Sequence, residues 1–226
     1  MSTENSHLNV QRNTDARIMY KKRGTVLKTL KDRGYAIPVG EEKLSFQDFL
    51  ELYQNEQHHL YLNTSPPNMP EKDKKGGGVY VYFEKSEDFT KKMLESHVAN
   101  IDTDYPNLDK LFFVLNTGKS KKKSKVNIFV QNAVEKKEEY KHVEILSNVY
   151  PFDLTDNYLV PKHTLINDQE QIKALITKYG SLNYLPRIPA NDPIVKRYGA
   201  KRGDIFLIER RGGRDSYYRM VGIGTI

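Results

Sequence analysis

The chain's most suggestive chemical fragment is Thr117-Gly118-Lys119-Ser120, at the end of an apolar run over 111–115. Gly-Lys-Ser is the second half of a phosphate-binding loop, where backbone amides and a helix N-terminus wrap an anion. The first half is missing. Position 113, where the motif needs glycine, is Phe113, and Val114, Leu115, Asn116 and Thr117 fill the interval. Five lysines (Lys119, Lys121, Lys122, Lys123 and Lys125) then lead into another strand-like run instead of a helix. A solvated hairpin loop rich in cations is the simpler expectation, and such a loop attracts counter-ions or phosphates.

A metal-dependent nuclease is the sharper enzymatic alternative. Nucleases with a mixed sheet place an acid at one strand end and Glu-x-Lys on the next strand. Asp109 precedes the 111–115 strand, and Glu135-Lys136-Lys137 supplies the triplet. Two such carboxylates can hold Mg²⁺ while the lysine orients the attacking water. Against this, Glu135 lies past its strand in "EKKEE", which suits a solvated helix start, and 29 acidic residues make chance pairings common. Other chemistries find less. Of six histidines only His58 and His59 are close, and neighbours on a helix diverge too far for a metal clamp. No Gly-x-Ser-x-Gly elbow is present. Gly76-Gly77-Gly78 lacks a strand immediately before it and is expected to be linker, and Arg202-Gly203-Asp204 a turn.

The elements that must position these residues follow from periodicity. A loose polar tail is expected over 1–13. A helix is expected from Thr14 with Gly34 as its stop, and another from Ser45, where Phe46, Phe49, Leu50 and Tyr53 form one stripe. Residues 62–78 read as a loop, 79–83 as a strand, and 86 to about 97 as a helix. Strands are expected at 110–116, 126–131 and about 142–149. Beyond a boundary near Tyr150-Pro151 the order is β-α-β-α-β-β. Its parts are a short strand near Leu159-Val160, a helix started by Asn167-Asp168, a strand at 185–188 and a small helix opened by Asp192-Pro193. Strands at 205–210 and 216–221 close the order as a hairpin. The expected fold class is therefore α/β (mixed α+β): a mixed-sheet domain over 14–150 and a small two-layer domain over 151–226.

Composition agrees with two folded domains. Hydrophobic residues make up 38% and charged residues 29%, with 15 Tyr and 9 Phe to fill cores. The absence of cysteine excludes disulfides and thiolate metal sites and points to a reducing intracellular location. No apolar run is long enough to span a bilayer, and the first residues carry no secretory pattern, so no membrane partner is expected. Net charge is +7, and residues 154–226 carry 12 Lys and Arg against 7 Asp and Glu. That excess suits nucleic acid or an acidic protein surface.

The C-terminal segment also carries six ordered blocks. They are Leu159-Val160-Pro161-Lys162-His163, Leu185-Pro186-Arg187-Ile188, Asp192-Pro193, Gly199-Ala200-Lys201-Arg202-Gly203-Asp204, Ile208-Glu209-Arg210 and Tyr218-Arg219. In these the chain resembles the fifth subunit shared by the eukaryotic nuclear RNA polymerases and its shorter counterpart in archaeal RNA polymerase. Leu30-Lys31-Asp32-Arg33-Gly34-Tyr35 and Phe129-Val130-Gln131-Asn132 extend the likeness to the eukaryotic two-domain form. The resemblance implies a non-catalytic subunit of DNA-directed RNA polymerase, without a cofactor of its own. It implies a C-terminal domain that docks on the largest subunit, through Pro161, Lys162, His163, Arg187, Pro193, Arg202, Arg210, Tyr218 and Arg219. It implies an N-terminal jaw of restriction-endonuclease-like fold beside downstream duplex DNA. There Asn132, Lys136, Lys137 and the lysine run 119–125 are the DNA-proximal candidates. Lys136 stands roughly where the family usually has Pro. Other polymerase subunits and transcription factors are implied partners. The implied location is the nucleus or, for a viral protein, the virion and host cytoplasm or nucleus. A free-standing DNA-binding or nuclease protein is the alternative.

Overall fold

The computed structural model describes residues 2–67, 71–86, 89–115, 134, 138–146, 149–210 and 213–222. The lysine run 119–125, the strand expected at 126–131, Asn132, Glu135, Lys136 and Lys137 lie outside the described residues. The chain divides into an N-terminal unit, Met1–Pro151, and a C-terminal unit, Phe152–Ile226.

In the N-terminal unit, α1 spans Ser2–Asp32. It begins upstream of Thr14, in the segment expected to be a loose tail, because residues 2–13 contain neither Pro nor Gly to interrupt the ladder. Its end is where the sequence places it. Gly34 takes φ +88, its N–H bonds the Lys31 carbonyl at 2.9 Å, and the Tyr35 N–H returns to Leu30 at 3.0 Å. A single turn, α2 (Val39–Glu42), follows Pro38. In α3 (Phe46–Gln54) the Ser45 hydroxyl accepts the Asp48 N–H at 3.2 Å.

The sheet of this unit runs β1-β2-β3-β4, with β1 at Leu60–Leu62, β2 at Val79–Phe83, β3 at Lys110–Val114 and β4 at Val143–Leu146. The first pair is antiparallel and the other two are parallel. Alternation sorts its side chains. Val79, Val81, Phe83, Phe112 and Val114 pack with Val26, Leu30 and Phe49 of α1 and α3. Leu111, Phe113 and Val143 pack with Leu94, Val98 and Ile101 of α4 (Lys91–Asp104). Helices therefore cover both faces of a mixed sheet, as the α/β expectation requires. The start of α4 is shifted from the expected 86 to Lys91. Thr90 accepts the Met93 N–H at 3.3 Å, and buried Phe89 anchors the chain ahead of that cap.

The C-terminal unit has the expected element order. It comprises β5 (Lys162–Ile166), α5 (Gln169–Tyr179), β6 (Arg187–Pro189), α6 (Pro193–Tyr198), β7 (Ile205–Arg210) and β8 (Asp215–Gly222). The strands lie in the order β5-β7-β8-β6. The two helices occupy opposite faces. Ile172 and Leu175 of α5 pack on Ile166, Ile205 and Met220, whereas Val195 of α6 packs on Phe206, Ile208 and Val221. The first strand lies later than Leu159-Val160. Its outward residues Lys162 and Thr164 are polar, so the alternation of an edge strand is masked by local hydrophobicity. A buried ion pair ties the unit's first residues to α6: Arg197 reaches Asp153 through Nη1 at 2.9 Å and Nη2 at 3.0 Å.

Candidate docking and nucleic-acid surfaces

Asp109, the acid a nuclease reading needs, is committed to structure. It is 2% exposed. One oxygen accepts the Ser65 hydroxyl at 2.7 Å, and the other accepts the N–H groups of Lys75 and Gly76, the latter at 3.0 Å. Burial opposes its charge, but hydrogen bonds from Ser65 and the backbone of residues 75, 76 and 78 hold it below the usual carboxylate range. The carboxylate thus pins the 62–78 loop over the start of β3. The three glycines are part of that pin rather than linker. A Cβ on Gly77 would overlap the Asn107 carbonyl, and one on Gly78 would overlap the Leu62 carbonyl. Among the described residues no group of His, Asp or Glu is arranged to hold a metal ion.

The Leu30–Tyr35 motif is likewise a brace. Arg33, buried at the end of α1, reaches Glu144 of β4 at 2.8 Å, and Lys110 of β3 reaches the other Glu144 oxygen at 3.1 Å. Burial works against the Glu144 charge, yet Arg33 and Lys110 hold its carboxyl below the ordinary range. Tyr35 packs edge-on against Phe112, and burial pushes its hydroxyl up to about 12.

His58 and His59 lie immediately before β1, not on a helix. They join a ladder of rings: Tyr53, His58, His59, Tyr82 and His97, with neighbouring centroids 4.3–5.0 Å apart. His59 Nδ1 accepts the Phe83 N–H at 3.1 Å. His58 is 3% exposed, and neither ring nitrogen has a partner. Burial above all, with nearby Lys85, pushes His58 down to about 4, and burial with His58 beside it takes His59 to about 3. Both are neutral core histidines at neutral pH.

The docking candidates divide into residues occupied within the fold and residues that face outward. Pro193 is the first residue of α6, after the cap Asp192. The Pro161 carbonyl accepts His163 Nδ1–H at 2.7 Å, and the imidazole packs edge-on against Phe206. Its pKa is lowered by burial. Tyr218 lines the α5-side core. Lys162 pairs with Glu209 at 2.9 Å on the surface. Arg187 reaches the Asn183 side chain at 3.3 Å, and Arg219 donates to the Arg187 carbonyl at 3.2 Å. Arg202 and Arg210 are exposed. Two apolar residues at the first block are strongly exposed: Leu159, its first residue, at 70%, and Tyr158, just ahead of it and unmarked by the sequence, at 91%. Hydrophobicity alone drew Leu159 into a strand, whereas here it is presented to solvent.

Comparison with known proteins completes the picture. Two family models match in order: RNA polymerase Rpb5, N-terminal domain, over residues 13–101, and RNA polymerase Rpb5, C-terminal domain, over residues 152–221. The chain is similar to DNA-directed RNA polymerases I, II, and III subunit rpabc1 of Dictyostelium discoideum, with 28% identity over 202 residues. That match covers 88% of this chain and 94% of the relative. It shares 26% identity over 200 residues with the Arabidopsis thaliana DNA-directed RNA polymerase subunit 5-like protein 1, covering 85% of this chain and 88% of the relative. It shares 42% over 80 residues with DNA-directed RNA polymerase subunit Rpo5 of Pyrococcus horikoshii, covering 34% of this chain and 96% of that shorter protein. With both of its halves matched in sequence order, the chain belongs to the Rpb5 family of DNA-directed RNA polymerase subunits.

Proposed function

We propose that the chain is a non-catalytic subunit whose C-terminal unit docks on the largest polymerase subunit while its N-terminal unit lies beside downstream duplex DNA. The observation that carries the non-catalytic half is Asp109: a carboxylate that accepts a hydroxyl and two backbone amides has few lone pairs left for a metal. The docking half rests on exposed Lys162, Arg202 and Arg210 and half-buried Arg187 and Arg219, with Pro161, His163, Pro193 and Tyr218 shaping the surface beneath. Arginine suits such a role because its fork pairs carboxylates bidentately. Asn132, Lys136, Lys137 and the lysines at 119–125 are the proposed DNA-proximal groups, acting on phosphates without reading sequence. The nucleus is the proposed location.

Reconstitution tests this directly. The full chain, mixed with a polymerase core assembled without it, is expected to enter the complex at one copy and support transcription on duplex templates. Failure to associate would remove the docking reading. Mg²⁺-dependent cleavage of DNA by the isolated chain, abolished by Glu135→Gln, would replace it with the nuclease alternative.

A further inference from the structure

The chain leading into β1 holds two histidines in a state that only uncharged rings permit. His59 Nδ1 accepts the Phe83 N–H at 3.1 Å. An accepting nitrogen carries no proton, so the single ring proton of neutral His59 is on Nε2. A second proton would turn Nδ1 into a donor facing a donor, and the bond would be lost. His58 is under a sharper constraint. It is 3% exposed, and neither ring nitrogen has a hydrogen-bond partner. Charging that ring in place would bury a cation whose two N–H groups meet no acceptor.

The surrounding groups reinforce the uncharged state. Tyr53 of α3 packs on His58 with centroids 5.0 Å apart, and Lys85 Nζ is 4.3 Å from the centroid of the same Tyr53 ring. Glu56, the carboxylate that favours a charged His58, is itself 83% exposed and 3.7 Å from Lys85. His59 stacks on Tyr82 at 4.3 Å and lies 6.0 Å from Tyr80. His97 of α4 packs on the same Tyr82, with its Nε2 3.7 Å from Glu84. Burial first, then Lys85, keeps His58 neutral, and burial first, then His58, Lys85 and His97, does the same for His59.

What the pair fastens is an edge. β1 has three residues and pairs with β2 alone, whereas β3 has a neighbour on each side. We propose that His58 and His59 form an acid-released latch, whose protonation frees residues 57–62 from β2 before the rest of the N-terminal sheet opens. The outer edge of β2 is then unpaired, and such an edge is a ready template for another strand. The closed pair binds fewer protons than the open one. Opening therefore grows as pH falls below about 6.5, by up to about ten-fold per pH unit for each histidine.

Nitrogen-15 NMR of the full-length chain tests both the bond and the opening. At pH 7 the imidazole shifts are expected to put the His59 proton on Nε2, and a proton on Nδ1 would overturn the inference. Amide exchange, corrected for its intrinsic pH dependence, is then followed from pH 6.5 to 4.5. Protection of the Phe83 amide and of the β1 amides bonded to β2 is expected to fall about ten-fold or more per pH unit. It should stay at least about ten-fold below the protection of Phe112 and Phe113 in β3. His58→Phe with His59→Gln, which keeps a ring and an uncharged acceptor, should cut the dependence below about three-fold per unit. Protection of β1 and β3 equal within about two-fold at every pH would mean that the unit opens all at once. Constant β1 protection down to pH 4.5 would mean that the rings take protons in place. Either result on the unaltered chain sinks the latch whether or not the double variant folds, and so does an undiminished pH dependence in that variant.

Discussion

Asp153→Ala is expected to destabilise the C-terminal unit by about 4–6 kcal/mol. Arg197 and Asp153 are only 6% and 5% exposed, and their two parallel contacts at 2.9 and 3.0 Å make a bidentate pair. Removing one partner of a buried pair costs about 3–5 kcal/mol, because the other charge stays in low dielectric. Asp153 also caps the turn at Leu154–Asp156, accepting from the Thr155 N–H at 2.9 Å and its hydroxyl at 2.8 Å. Losing that cap adds about 1 kcal/mol. A unit of this size has roughly 4–11 kcal/mol to lose. Amide hydrogen exchange, read on peptides from β7 and β8, isolates this unit from the rest of the chain. Exchange there should quicken at least about a hundred-fold. Asp153→Leu with Arg197→Met, which removes both charges, should recover to within about 2 kcal/mol of the unaltered chain. A loss under about 1 kcal/mol for Asp153→Ala would mean the pair behaves as a solvated surface pair. A double variant as unstable as the single would mean that charge is not what the pair contributes.

Four further outcomes are expected. His58 and His59 titrate below their unfolded value of about 6.5, so below that pH the unfolded chain binds more protons and stability drops as pH falls toward about 4. The slope is up to about 1.4 kcal/mol per pH unit for each histidine. His58→Phe should flatten it in melting curves at stepped pH, whereas an unchanged slope would place the protons elsewhere. Gly77→Ala, which sets a methyl against the Asn107 carbonyl, should cost about 1–3 kcal/mol or more in urea unfolding. Gly24→Ala, in α1 with nothing within 4 Å, should instead stabilise by about 0.5–1 kcal/mol. Replacing the five lysines at 119–125 by serine should leave core association intact while reducing the salt slope of DNA binding. Loss of association would make the run an assembly element.

What the sequence disclosed was local and periodic. The stripe of α3, the Asp192-Pro193 start of α6 and the β7–β8 hairpin all depend on near neighbours, and each stands within a residue or two of its expected place. What it hid depends on partners far along the chain. Nothing near Gly77 reveals that the Asn107 backbone crosses it, and nothing near Asp109 reveals that residues 65, 75 and 76 will take its oxygens. Helix geometry does not describe the histidine pair, whose place beside Tyr82 follows from β1 pairing with β2. The sequence blocks that hold the docking candidates fall on β5, β6, β7, β8, the start of α6 and the turns beside them. They did not separate Pro161 and Tyr218, which shape the fold, from Arg202 and Arg210, which face outward. That distinction is one of burial.

The two sheets differ in how much chain must be gathered before they close. β7 and β8 are joined by a short turn, so the centre of the C-terminal sheet can form on the timescale of a hairpin, about 1–10 μs. In the N-terminal sheet β3 ends at Val114 and its parallel neighbour β4 begins at Val143. Every contact between them waits on closure of the long intervening segment. The Glu144 bridge to Arg33 and Lys110 belongs to that late event. The unit that carries the proposed docking surface can therefore present it while the other is still assembling.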